Sequence, residues 1–188
     1  DNEGFIRSEM ALPKIIGSGG RVSAGDFDQD GDLDLFIGGR LSPANYPKPG
    51  ISYLLENKGG KDLNLKFEDI TTEIAPELQE IGMVTDALWS DYDNDSDLDL
   101  IVVGEWMPIT IFDNENGQFN KSTVQQFNST NGWWYSLAQG DFDQDGDLDY
   151  VVGNLGKNYK YQANSEAPFD VYADDFDQNG RQDIVLGY

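Results

Sequence analysis

The chain contains no cysteine and no histidine. Without cysteine there is no disulfide framework, no zinc finger and no thiol catalysis. Without histidine there is no Ser-His-Asp triad, no histidine-ligated zinc and no imidazole acid–base chemistry. Positive charge is scarce: 12 Lys and Arg stand against 35 Asp and Glu, a net charge of −23 over 188 residues. Such a body repels nucleic-acid phosphates, so no nucleic-acid partner is expected. No apolar run approaches the ~18 residues of a membrane span, so no membrane insertion is expected. The chain opens at Asp1 without a signal peptide and reads as a mature or trimmed piece of something longer.

The apolar content is nevertheless sufficient for a core. Hydrophobic residues make up 38% and aromatics 12%, more than a disordered acidic tail carries. A compact body at this charge suffers self-repulsion, and a cation that offsets it is expected.

One nine-residue pattern recurs four times. It is Asp26-Phe27-Asp28-Gln29-Asp30-Gly31-Asp32-Leu33-Asp34, then Asp91-Tyr92-Asp93-Asn94-Asp95-Ser96-Asp97-Leu98-Asp99. The third is Asp141-Phe142-Asp143-Gln144-Asp145-Gly146-Asp147-Leu148-Asp149, and the fourth Asp175-Phe176-Asp177-Gln178-Asn179-Gly180-Arg181-Gln182-Asp183. Loop starts are 65, 50 and 34 residues apart, and a short apolar run ending in Gly follows each loop. The four loops hold 18 of the 35 acidic residues.

The unit around each loop reads as strand A, acidic loop, strand B, linker, strand C, turn and strand D. Strand A is expected over 21–25, 85–90, 135–140 and 169–174, with strand B as the apolar run after each loop. Strand C is expected over 51–56 and 109–113, each segment ending near an asparagine, a turn-favouring residue. Strand D is expected over 66–70 and 118–122, with a lone copy over 5–8. Only 71–82 looks helical, and Pro76 limits it to a turn or two. Four short strands per ~50-residue unit indicate an all-β protein of β-propeller blades. The divisions expected are 1–19 (last strand of a preceding blade and a linker), 20–82 (blade 1), 83–132 (blade 2), 133–167 (a shortened blade 3) and 168–188 (two strands of blade 4). Closed propellers need four to eight blades, so an open arc from a larger propeller is expected, with exposed blade edges through which it self-associates.

The chemistry lies in the loops. Carboxylates or an amide at positions 1, 3 and 5 converge on one point, and Gly at position 6 permits the turn. A carbonyl at position 7 and a carboxylate at position 9 complete a shell of hard oxygens, which suits Ca²⁺ better than Mg²⁺. Three to four Ca²⁺ ions are expected, and four would bring −23 to −15. An EF-hand needs a Glu at position 12. Here that position is Ile37, Val102, Val152 and Leu186, so the EF-hand is excluded.

The run from Gly25 to Gly38, with Gly20-Arg21-Val22-Ser23-Ala24 and Trp133-Trp134-Tyr135-Ser136, resembles FG-GAP or VCBS repeats. These build the calcium-bearing propellers of integrin α-chain heads and of secreted bacterial proteins. The likeness is greatest to the bacterial VCBS-repeat proteins related to cartilage acidic protein. It implies Ca²⁺ ligands at loop positions 1, 3, 5, 7 and 9. These are Asp26, Asp28, Asp30, Asp32 and Asp34; Asp91, Asp93, Asp95, Asp97 and Asp99; Asp141, Asp143, Asp145, Asp147 and Asp149; and Asp175, Asp177, Asn179, Arg181 and Asp183. Position 7 acts through its carbonyl, so Arg181 fits. Ser96 departs from the Gly pattern and is strained if its φ is positive. Loop 4, with three carboxylates, is expected to bind weakest.

The meander puts the calcium loops at one end of the strands and the long connections at the other. That opposite face is expected to bind a protein or glycan through Arg40, Tyr46, Trp106, Trp133 and Trp134. Packing between blades is the competing role for the tryptophans, and the expected one for Trp89. Two functions follow: a non-catalytic extracellular, cell-surface or periplasmic adhesion module, or part of a polysaccharide lyase or glycosidase. No catalytic residue is assigned, and Glu105 beside Trp106 is the one acid that suits the second reading. Asn120 and Asn128 match glycosylation acceptors.

Overall fold

The computed structural model describes residues 8–59, 65–156 and 159–187. These residues are all-β, and each acidic loop joins two antiparallel strands in register. The first blade is a meander of β1 (Ser18–Gly25), β2 (Asp34–Leu41), β3 (Tyr53–Asn57) and β4 (Phe67–Asp69), hydrogen-bonded in that order. A short helix α1 (Thr71–Ile74) follows and stops before Pro76, which opens a 3₁₀ turn to Leu78. The second blade repeats the meander with β5 (Met83–Ser90), β6 (Asp99–Met107), β7 (Thr110–Glu115) and β8 (Gln118–Lys121). A 3₁₀ turn over Gln125–Ser129 then leads to β9 (Gly132–Gly140), which pairs with β10 (Asp149–Asn154). β11 (Asp170–Asp174) and β12 (Asp183–Gly187) form a separate hairpin.

The strand phases expected from the repeats hold, and the described residues form no closed barrel. The strand expected over 5–8 falls almost wholly outside the described residues. Two strand features were not expected. The outer end of β6 pairs with β9 through Glu105–Trp133 and Met107–Gly132, joining two blades in one sheet. Phe169 leaves the expected strand and stacks on Trp106 instead.

The core lies between blades 1 and 2. Phe36 and Leu54 from the first sheet meet Val84, Ala87, Leu100, Val102 and Phe112 from the second, all essentially buried. Position 2 of the first loop supplies the key contact. The Phe27 ring is 5.8 Å from Trp89 and 5.4 Å from Phe119. Trp89 is buried as expected, and its indole N–H donates to the Ser23 carbonyl. Among the described residues, the matching rings of loops 3 and 4 have no such cover. Phe142 and Phe176, at the same loop position as Phe27, are 59% and 56% exposed against 3%.

Candidate metal centre

Each loop is wound by its own side chains. The position 1 carboxylate accepts the position 6 N–H in all four copies: Asp26 from Gly31, Asp91 from Ser96, Asp141 from Gly146 and Asp175 from Gly180, at 2.8–3.2 Å. The position 5 N–H donates to position 3, and the position 7 N–H to position 5, in every loop. Side-chain oxygens thereby replace the carbonyls of a regular turn.

Position 6 adopts the left-handed conformation, at φ +95°, +101° and +82° for Gly31, Gly146 and Gly180. Ser96 takes φ +81° in the same place, the strained backbone anticipated for a residue with a Cβ. Position 4 is also left-handed, at φ 61–65° for Gln29, Asn94 and Gln144 and 60° for Gln178. That second left-handed residue was not read from the sequence, although Asn94 is a residue type that tolerates it.

These turns bring three carboxylates together in each loop. Asp26, Asp28 and Asp34 each offer an oxygen within 4.8 Å of the others. So do Asp91, Asp93 and Asp99; Asp141, Asp143 and Asp149; and Asp175, Asp177 and Asp183. Positions 1, 3 and 9 thus form the tight group. The carboxylates at positions 5 and 7, namely Asp30, Asp32, Asp95, Asp97, Asp145 and Asp147, are not among these three in any loop.

Position 9 is the most enclosed. Asp34 and Asp99 are each 1% exposed. Asp34 accepts from the N–H of Phe27 at 3.3 Å and of Asn57 at 2.8 Å. Asp99 accepts from Tyr92 at 3.0 Å and Asn114 at 2.9 Å. Burial pushes the Asp34 carboxyl up to about 7, against the pull of those two N–H groups. Burial likewise raises Asp28, Asp97 and Asp99.

A cation fits this donor set. Within the tight group of loop 1, Asp26 Oδ1 is buried with no hydrogen-bond partner, as are Asp32 Oδ1 and Asp97 Oδ1 at position 7 of loops 1 and 2, and a buried unpaired carboxylate oxygen is costly. The donors are all hard oxygens, suited to a hard divalent ion rather than a soft one. Loop 4 differs chemically: the Asn179 amide donates to Asp177 Oδ2 at 2.8 Å, so the protein itself takes up one carboxylate oxygen there.

The other end of the strands carries a different constellation. Arg40 Nη2 forms an ion pair with Glu105 Oε1, and Tyr46 OH donates to Glu105 Oε2 at 3.3 Å. Trp106 Nε1 donates to Tyr46 OH at 2.8 Å. Trp106, at φ +61° in the kink between Glu105 and Met107, stacks on Trp133 at 5.4 Å. Four of the five expected face residues therefore meet. Trp134 stands apart, its indole N–H donating to the Thr130 carbonyl at 2.9 Å. Phe169, Tyr161 and Tyr159, which the sequence reading did not nominate, close a ring of aromatics with Trp106 and Trp133, stacked at Trp106–Phe169 and Phe169–Tyr161 and edge-to-face at Tyr161–Tyr159 and Tyr159–Trp133.

A tandem array of hairpins with carboxylate loops, stacked as blades, defines a repeat protein of the propeller class. Residues 91–152, from the first residue of loop 2 into the strand after loop 3, match the FG-GAP-like repeat family. No curated protein matches the chain in sequence. Among the described residues no helix is long and apolar enough to cross a membrane.

Proposed function

We propose that the chain is a Ca²⁺-stabilised propeller module for extracellular recognition, binding a protein or glycan on the face opposite its metal loops. The observation that carries the proposal is the chemical difference between the two strand ends. One end presents four convergent carboxylate groups. The other presents an Arg–Glu–Tyr–Trp cluster beside stacked aromatics. Positions 1, 3 and 9 would hold the ion, with the position 5 side chain and position 7 carbonyl completing the shell. When bound, Ca²⁺ supplies the positive charge that cancels carboxylate repulsion within each loop. Millimolar extracellular calcium suits such sites, and a secreted VCBS-type parent protein is the context that fits them.

A non-catalytic role is favoured over a polysaccharide-processing one. Glu105 is 5% exposed and has both oxygens engaged by Arg40 and Tyr46, a poor arrangement for a general acid that must meet substrate. The test is binding to immobilised acidic and neutral polysaccharides, with the soluble products sized in parallel. Binding without chain shortening, weakened in Trp133→Ala, is expected. Time-dependent shortening would establish the enzymatic reading, and no binding to any member would remove glycan recognition.

A further inference from the structure

Asn57 and Asn114 end equivalent strands and look, in sequence, like ordinary turn residues. Asn114 does more. It is 1% exposed and uses each of its donors. Its backbone N–H donates to Asp99 Oδ1 at 2.9 Å, inside the second carboxylate group. Its side-chain amide donates to the Phe27 carbonyl at 2.9 Å and the Leu98 carbonyl at 3.2 Å, while its Oδ1 accepts from Gly117 at 2.8 Å. Phe27 is position 2 of the first loop. Its carbonyl belongs to the peptide that carries Asp28, and its N–H donates to Asp34 Oδ2. One buried residue therefore touches a carboxylate group in its own blade through its backbone N–H, and the backbone between two carboxylates of the neighbouring blade through its side-chain amide.

A second strut runs parallel to it. Gln29 Nε2 of the first loop donates to the Ser96 carbonyl of the second at 2.9 Å. Asn57 has the same local bonds as Asn114, to Asp34, Leu33 and Gly59, but no bond to another loop among the described residues.

We infer that Asn114, seconded by Gln29, couples cation binding in loops 1 and 2, so that filling either loop tightens the other. The inference rests on the reading of these loops as cation sites. Ordering Asp99 around an ion fixes the Asn114 turn, and the amide then holds the Phe27–Asp28 peptide where Asp28 meets Asp26 and Asp34. The ordering entropy is shared between two binding events. Asn114 is thus a positioning residue, and the coupling is reciprocal by linkage.

The test is Ca²⁺ calorimetry on the full chain carrying Asp143→Asn and Asp177→Asn, which silence loops 3 and 4. Loop 2 is then measured with loop 1 intact or disabled by Asp26→Asn and Asp28→Asn, and loop 1 with loop 2 intact or disabled by Asp91→Asn and Asp93→Asn. Each affinity should fall about fivefold or more when the other loop is disabled. With Asn114→Ala that dependence should vanish. Gln29→Ala, at an exposed position, should shrink the coupling in a chain whose unchanged far-ultraviolet circular dichroism shows it folded. Equal affinity in one loop whatever the state of the other, or full coupling in both variants, overturns the inference. Absence of any Ca²⁺ heat would instead overturn the metal reading on which it rests.

Discussion

Arg40 and Glu105 stand at the same place in successive repeats, 14 residues after Asp26 and Asp91, and pair with each other across the blade interface. Arg21 and Asp86 do likewise, each five residues before its loop, with Nε to Oδ1 at 3.1 Å. Opposite charges at one repeat position thus pair blade to blade. Glu105 is buried and Arg40 is three-quarters covered, so removing one partner strands the other charge. Glu105→Ala should cost about 1–3 kcal/mol, and Glu105→Gln less, because the amide oxygen still accepts from Arg40. Chemical denaturation of the three proteins measures this, and equal stability would place the pair in solvent.

The buried Phe27 and the exposed Phe142 occupy one loop position in different surroundings. Phe27→Ala should cost about 3–5 kcal/mol, the range for losing a buried aromatic ring. Phe142→Ala should change stability by less than about 0.5 kcal/mol, as a surface substitution does. A comparable loss in both would mean that Phe142 is also covered.

The pH dependence of the metal-free protein follows from Asp34. Its folded carboxyl sits at about 7 against an ordinary 3.8, so between those values the folded state binds more protons than the unfolded one. Stability then falls as pH rises through that window. In EDTA the melting temperature should be higher at pH 5 than at pH 8. Saturating Ca²⁺ should reverse the order, because protons compete with the ion for the same oxygens. An EDTA melting temperature that climbs from pH 5 to pH 8 would contradict the burial of Asp34.

The order in which the loops fill should follow their charge. Loop 4 carries Asn179 and Arg181 and sums to −2, whereas each other loop carries −5. The Asn179 amide also takes an oxygen of Asp177. Under limiting calcium, loop 4 should remain partly filled or empty while loops 1 and 3 are full, with loop 2 between them because of the strain at Ser96. A crystallographic titration in which loop 4 fills first would show that charge does not set the order.

Much of the fold was legible because the repeat marks itself. Each loop fixes where strand A ends and strand B begins, and Gly at position 6 of loops 1, 3 and 4 announces a left-handed turn. The tight carboxylate group at positions 1, 3 and 9 lay within the set read from spacing. What could not be read are the contacts between repeats. Aligning Asn57 with Asn114 reveals a shared local role, but the bond from Asn114 to Phe27 depends on how one blade is offset against the next. The aromatic ring is hidden for the same reason, since Phe169 continues a strand by local pattern and its stacking on Trp106 is a contact between repeats.

The most direct measurement is calorimetric titration of the metal-free chain with Ca²⁺ and, separately, with Mg²⁺. If the four carboxylate groups are calcium sites, Ca²⁺ binds at three to four sites with dissociation constants of about 10⁻⁴ to 10⁻³ M, and Mg²⁺ binds more weakly. At ten times the dissociation constant each filled loop adds about 1.4 kcal/mol to the folded state, so EDTA should lower the melting temperature well beyond an ionic-strength control. No calcium heat, equal preference for magnesium, or a melting curve indifferent to EDTA would contradict it.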